Sequence, residues 1–124
     1  MGRDRDSKQL LSLLEQRLEK ISLSQEYAYR MMNELANLIR DHGHYEASLE
    51  YYKKALLCMK RRHKNKYVEH WETGKILINI ATTHYNLSNL REALKYYSHA
   101  LDVFDRVKVS RFNDETLIFD CQVE

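Results

Sequence analysis

The stretch Tyr51–Met59, YYKKALLCM, returns 45 positions later as Tyr96–Phe104, YYSHALDVF. At the same offset Ala36 meets Ala81, Leu49 meets Leu94, Ala55 and Leu56 meet Ala100 and Leu101, and Arg61 meets Arg106. Conservative pairs fill in between: Met32 with Leu77, Leu35 with Ile80, Tyr45 with Leu90, Met59 with Phe104. The matches recur at spacings of three and four, as one buried helical face requires. They also keep small residues opposite small ones. An internal repeat of this period predicts a stack of helical units, each burying its apolar face against the next.

Composition agrees. The 124 residues contain three glycines and no proline, too few breakers for a β-rich chain. Hydrophobic residues make up 44 % and charged residues 31 %, enough for a core under a well-solvated surface. A formal net charge of +2 selects no class of partner. Cys58 and Cys121 form no disulfide framework, which suits a reducing compartment. No apolar run approaches the roughly 18 residues of a membrane span. The N-terminal MGRDRDSKQ is charged, unlike a secretory signal, and the expected location is cytoplasmic.

Each copy reads as two helices and a turn. The first hairpin is expected over about 27–62. Its first helix, about Tyr27 to Arg40, stops at DHGHY, where Gly43 can take the left-handed conformation. Its second starts near Tyr45. The second hairpin is expected over about 70–107, with helices from about Trp71 to Asn86 and from Arg91 to about Val107. Its turn, LSNL, puts Ser88 and Asn89 in place of glycine, and asparagine tolerates the left-handed region. Ala36, Ala81, Ser48, Ala93, Ala55 and Ala100 fall where helices must approach closely, and Tyr52 and Tyr97 are the bulky counterparts.

ELANLIRDHGHYEASLEYYKKAL and NIATTHYNLSNLREALKYYSHAL resemble tetratricopeptide repeats. The family's pattern positions are Met32, Leu35, Ala36, Ile39, Gly43, Ser48, Tyr52 and Ala55 in the first copy. In the second they are Leu77, Ile80, Ala81, His84, Ser88, Ala93, Tyr97 and Ala100. Ile39 and His84 stand in for the usual aromatic, Ser48 for Ala and Ser88 for Gly. The resemblance spans roughly residues 29 to 107 and implies an all-α helical-hairpin solenoid that binds proteins without catalysis. The family's usual period is about 34 residues. The surplus here sits in KRRHKNKYVEHW, so the flanking helices are expected to be long, as in the kinesin-light-chain subgroup.

The flanks are expected to be helical as well. Residues 1–24 read as an amphipathic capping helix with the seam Leu11, Leu14, Leu18 and Ile21, started by Asp6 or Ser7. Residues 108–124 read as a C-terminal cap or the start of a further repeat, with Asn113 able to cap a helix carrying Leu117, Ile118 and Cys121.

In a stacked array the first helix of each hairpin lines the concave surface where extended peptides bind. Candidate partner-binding residues on that face are Arg30, Asn33, Asn37 and Arg40 in the first copy, and Lys75, Asn79 and Thr82 in the second. An asparagine amide both donates to and accepts from a peptide backbone. The resemblance implies that role for Asn37 and Asn79. Asn33 stands where a carboxylate-gripping lysine would be, so a full clamp for a terminal carboxylate is not expected. For each residue singly, an ordinary exposed polar side chain is the competing reading.

One dense basic run, Lys60, Arg61, Arg62, Lys64 and Lys66, is read as a solvated helix end favoured by the helix dipole. The alternative is a patch for an acidic ligand or RNA. It lacks interleaved aromatics, so nucleic acid is the weaker partner. Self-association through the open ends of the array is the other alternative. The six histidines and two cysteines show no metal-ligand spacing, and no nucleophile–base pair stands out. No cofactor, metal or catalytic residue is expected. His84 is read as a packed core histidine and Cys58 as a buried thiol.

Overall fold

The computed structural model describes residues 2–19 and 28–123, all helical apart from the connections. Five α-helices follow in order: α1 (Gly2–Glu19), α2 (Ala28–Asp41), α3 (Tyr45–His63), α4 (Trp71–Asn86) and α5 (Leu90–Val123). A 3-10 segment, Lys64–Glu69, joins α3 to α4. α2 and α3 form one hairpin, α4 and α5 the other, and α3 packs against α4 between them. The chain is all-α, as expected.

The two hairpin turns repeat each other bond for bond. His44 N–H donates to the carbonyl of Ile39 at 3.1 Å and Gly43 N–H to that of Arg40 at 2.8 Å. Forty-five residues on, Asn89 N–H donates to His84 at 2.8 Å and Ser88 N–H to Tyr85 at 3.0 Å. This is the Schellman closure, which satisfies the last carbonyls of a helix and needs one left-handed residue. Gly43 supplies it at φ 88°. In the second turn the residue is Ser88, at φ 64°, rather than Asn89. Asn89 instead stands just ahead of α5, its carbonyl accepting from Ala93 N–H at 2.9 Å, as His44 accepts from Ser48. A left-handed serine is strained by its Cβ where glycine is not. Ser88→Gly is therefore expected to stabilise the protein by about 0.5–1 kcal/mol. A thermal melt followed by circular dichroism checks this, and an unchanged or lower midpoint would show that the strain is not there.

The small residues do what their positions demand. Ala36, Ser48, Ala55, Ala81, Ala93 and Ala100 are all buried, letting the helices close on one another. Tyr52 is fully buried among Met32, Ile39, Met59, Ile76 and Ile80. Tyr97, its counterpart, is only half-buried, because among the described residues no further helix covers α5. Cys58 is buried too, its Sγ 3.9 Å from Met32 Sδ, and burial pushes the thiol pKa up, as suits an inert core residue.

Three details depart from expectation. α5 does not stop near Val107 but runs unbroken to Val123, so Asn113 lies inside it and caps nothing. From Leu90 onward there is no glycine or proline to end a helix. α1 starts at Gly2, which puts Asp6 and Ser7 inside the helix rather than at its cap. Leu10 and Leu11 of α1 pack against the first core cluster. Ile21 lies outside the described residues, as do the side chains of Leu14, Leu18, Leu117, Ile118 and Cys121. The 45-residue period is met by a 19-residue α3 followed by the six-residue 3-10 segment.

Candidate functional site

The first helices of the two hairpins, α2 and α4, frame a cleft of about 240 Å³. α2 contributes Tyr29, Arg30, Asn33 and Glu34, and α4 contributes Trp71, Glu72, Lys75 and Ile76. Residues three and four apart share a helix face, which is why these two quartets converge. Arg30 reaches across to Glu72, with Nη2–Oε1 at 2.7 Å and Nε–Oε1 at 2.9 Å. Burial alone would raise the Glu72 pKa. Hydrogen bonds from Tyr29 and Arg30, with the charges of Arg30 and Lys75, hold it below the usual carboxylate value instead. The same contact raises Tyr29, by burial first and then by the neighbouring carboxylate.

One turn further along, Asn79 Nδ2 donates to Asn33 Oδ1 at 3.0 Å. Asn33 is itself buried, 7 % exposed, and the bond leaves its amide hydrogens and the Asn79 carbonyl unused by the pair. At the cleft's rim Lys75 Nζ lies 4.8 Å from the centre of the Trp71 ring, and that indole is 44 % exposed. The cleft thus combines an apolar aromatic wall, a cation held over it, and amide groups able to pair with a main chain.

The other candidates lie elsewhere. Asn37 accepts a hydrogen bond from Tyr52 Oη, and Thr82 is 3.1 Å from Tyr97 Oη. These two contacts sit 45 residues apart, so the repeat extends to its polar stitching. Both side chains are spent tying a first helix to a second. Arg40, at the end of α2, lies 3.5 Å from Asp41 and is not among the cleft residues. Arg30, Asn33 and Lys75 line the cleft, and Asn79 joins it through Asn33. Trp71 and Glu72 were not singled out as binding residues. Their signal was their spacing four and three residues before Lys75, on its helix face.

A comparison with protein families matches the chain to the tetratricopeptide repeat over residues 30–71 and again over 73–107, more than half its length. The chain belongs to the tetratricopeptide repeat family. Repeats of this family generally mediate contacts between proteins. The two matched segments meet at the start of α4, so the cleft draws on both tetratricopeptide units, Arg30, Asn33, Glu34 and Trp71 lying in the first match and Lys75 and Ile76 in the second. No curated protein matches the chain, and no solved structure does.

Outside the tetratricopeptide cleft, the basic run straddles the end of α3 and the 3-10 segment, all five cations exposed. Lys60 Nζ lies 5.4 Å from the Tyr67 ring centre. Nearby, His63 and His70 stack with ring centres 3.7 Å apart, and burial, then the charge of His70, lowers the His63 pKa. His84 stacks on Tyr96 at 5.5 Å and is lowered by burial, consistent with a packed imidazole. Among the described residues no three His, Cys, Asp or Glu side chains are grouped to hold a metal ion. None of the described helices is long and apolar enough to cross a membrane.

Proposed function

We propose that this tetratricopeptide chain is a non-enzymatic adaptor that holds an extended peptide segment of another protein in the cleft between α2 and α4. The observation that carries the reading is the convergence of Arg30, Asn33 and Lys75 with the exposed Trp71 around one 240 Å³ depression. An extended main chain needs donors and acceptors along its path, and the Asn33–Asn79 pair supplies both. An apolar ligand side chain fits against the exposed Trp71 ring, and a ligand carboxylate is drawn to Lys75. The Arg30–Glu72 tie already joins α2 to α4 across the cleft, which favours a preformed site.

Selection of a displayed random-peptide library on the wild-type protein tests the reading, with selected peptides re-measured against Lys75→Glu. Lys75 is exposed, so the substitution leaves the core alone. Selected peptides are expected to lose affinity by roughly tenfold or more on charge reversal at a central contact. Equal binding by the variant would remove the cleft from consideration.

A further inference from the structure

The two ends of this array are the two halves of an interface it already contains. Within the chain α3 packs on α4, and the side chains there are covered. Leu49 is 9 % exposed, Leu56 packs into both core clusters, and Ile76 and Thr83 are 1 % and 0 % exposed. The equivalents of Leu49 and Leu56 on α5 are Leu94 and Leu101, which are 68 % and 64 % exposed. The equivalents of Ile76 and Thr83 on α2 are Met31 and Leu38, which are 45 % and 47 % exposed. α1 leaves both of them open. One end therefore presents the α3-type face uncovered, and the other end presents the α4-type face uncovered.

We infer that the partner for each face is a second copy of this chain, with α5 of one molecule packed on α2 of the next in the manner of α3 on α4. Charge favours a copy of this chain over an unrelated helix. Where α3 carries Glu46 and Glu50, α5 carries Arg91 and Lys95 at the matching positions, a reversal from two negative charges to two positive ones beside Glu92. Where α4 closes on Asn86, α2 closes on Asp41, whose side chain is 63 % exposed. Consecutive helices of a hairpin stack run antiparallel, which brings the start of α5 beside the end of α2. The intermolecular copy thus places opposite charges where the internal one has a carboxylate beside an amide. Because the two faces differ, the contact is head-to-tail. It uses one face of each partner and leaves the others free, so it propagates rather than closing at two. It uses neither Trp71 nor Lys75 and stands apart from the peptide-binding reading.

Sedimentation velocity across a concentration series tests it, using wild type, Leu38→Glu and Leu101→Glu. Wild-type mass is expected to climb past the dimer with concentration. Each variant, with one face spoiled, is expected to stay monomeric over at least about ten times that range. Mixed one to one, the variants retain one good face each and are expected to form a heterodimer and stop there. Wild type that stays monomeric up to its solubility limit would overturn the inference, as would a mixture that stays monomeric. Assembly by either variant alone would do the same, since it would reveal a like-with-like contact. Circular dichroism confirms that each variant is folded. Should Leu101→Glu lose helical signal, Leu94→Glu spoils the same face at a more exposed position.

Discussion

Tyr52→Ala is expected to cost about 4 kcal/mol, the largest loss from a single truncation in this chain. The ring is fully buried between the hairpins, touching the core built by α2, α3 and α4, so removing it opens a cavity that three helices share. Domains of this size hold only about 5–15 kcal/mol in total, and the variant keeps little margin. Urea unfolding measures the loss. Tyr52→Phe separates the ring from its hydroxyl: it forfeits the hydroxyl's hydrogen bonds with Asn37 and Thr83 and is expected to cost about 1–2 kcal/mol. A comparable loss from both variants would mean that the hydroxyl, not the ring, holds the hairpins together. The same hydroxyl gives an alkaline signature. Burial pushes the Tyr52 pKa up to about 12 from 10.0. The folded state keeps its proton where the unfolded chain has lost it, so the contribution is whole below pH 10 and lost as pH rises through 12. That difference corresponds to about 3 kcal/mol. Tyr52→Phe should flatten that decline, and an unchanged alkaline slope would assign it to other tyrosines.

Gly74→Val is expected to cost about 2–3 kcal/mol, against the usual gain from replacing a glycine inside a helix. A Cβ built at Gly74 lies 2.7, 2.8 and 3.1 Å from three carbons of the Phe104 ring. That ring is partly buried and packs with Leu77, Ala100 and Val103 in the second cluster, so it must shift to admit the new side chain. The glycine is therefore kept for proximity, letting α4 and α5 meet across an aromatic side chain. Pairing Gly74→Val with Phe104→Leu should recover part of the loss, with a coupling of about 1 kcal/mol or more in a double-mutant cycle. Strictly additive effects would place the cost in backbone propensity alone.

Much of the fold was legible because it is written twice. The 45-residue offset aligned helices, turns and small residues at once, and the described bounds of α2, α3 and α4 fall within a residue or two of the expected ones. Where a single signal had to suffice, reading was less sure. Ser88 rather than Asn89 takes the left-handed position, because the Schellman bonds to His84 and Tyr85 set the turn and local preference only follows. The end of α5 was placed too early because the repeat stops there while helix-forming sequence does not.

The candidate cleft was legible in part. Arg30, Asn33 and Lys75 could be assigned to the first-helix faces from periodicity. Asn37 and Thr82 lie on the same helices, but their tyrosine partners sit 15 residues away on another helix. No pattern along one helix reveals that a side chain is already engaged by its neighbour. Trp71 and Glu72 lie on the predicted α4 face, but an aromatic and a carboxylate there carry no sign in the sequence that Arg30 and Lys75 meet them.

The connection itself has a wider meaning. All the length by which this repeat exceeds the usual period lies in the last turns of α3 and in Lys64–Glu69, beyond the turn and the Ala36–Tyr52 contacts that join the first pair of helices. The repeat distance in sequence is thus not a dimension of the architecture. What must be held constant is the register of the facing surfaces: the connection keeps its own place in the stack through Tyr67 and Val68, which pack against the two core clusters, while its exposed Lys64 and Lys66 are open to recharging.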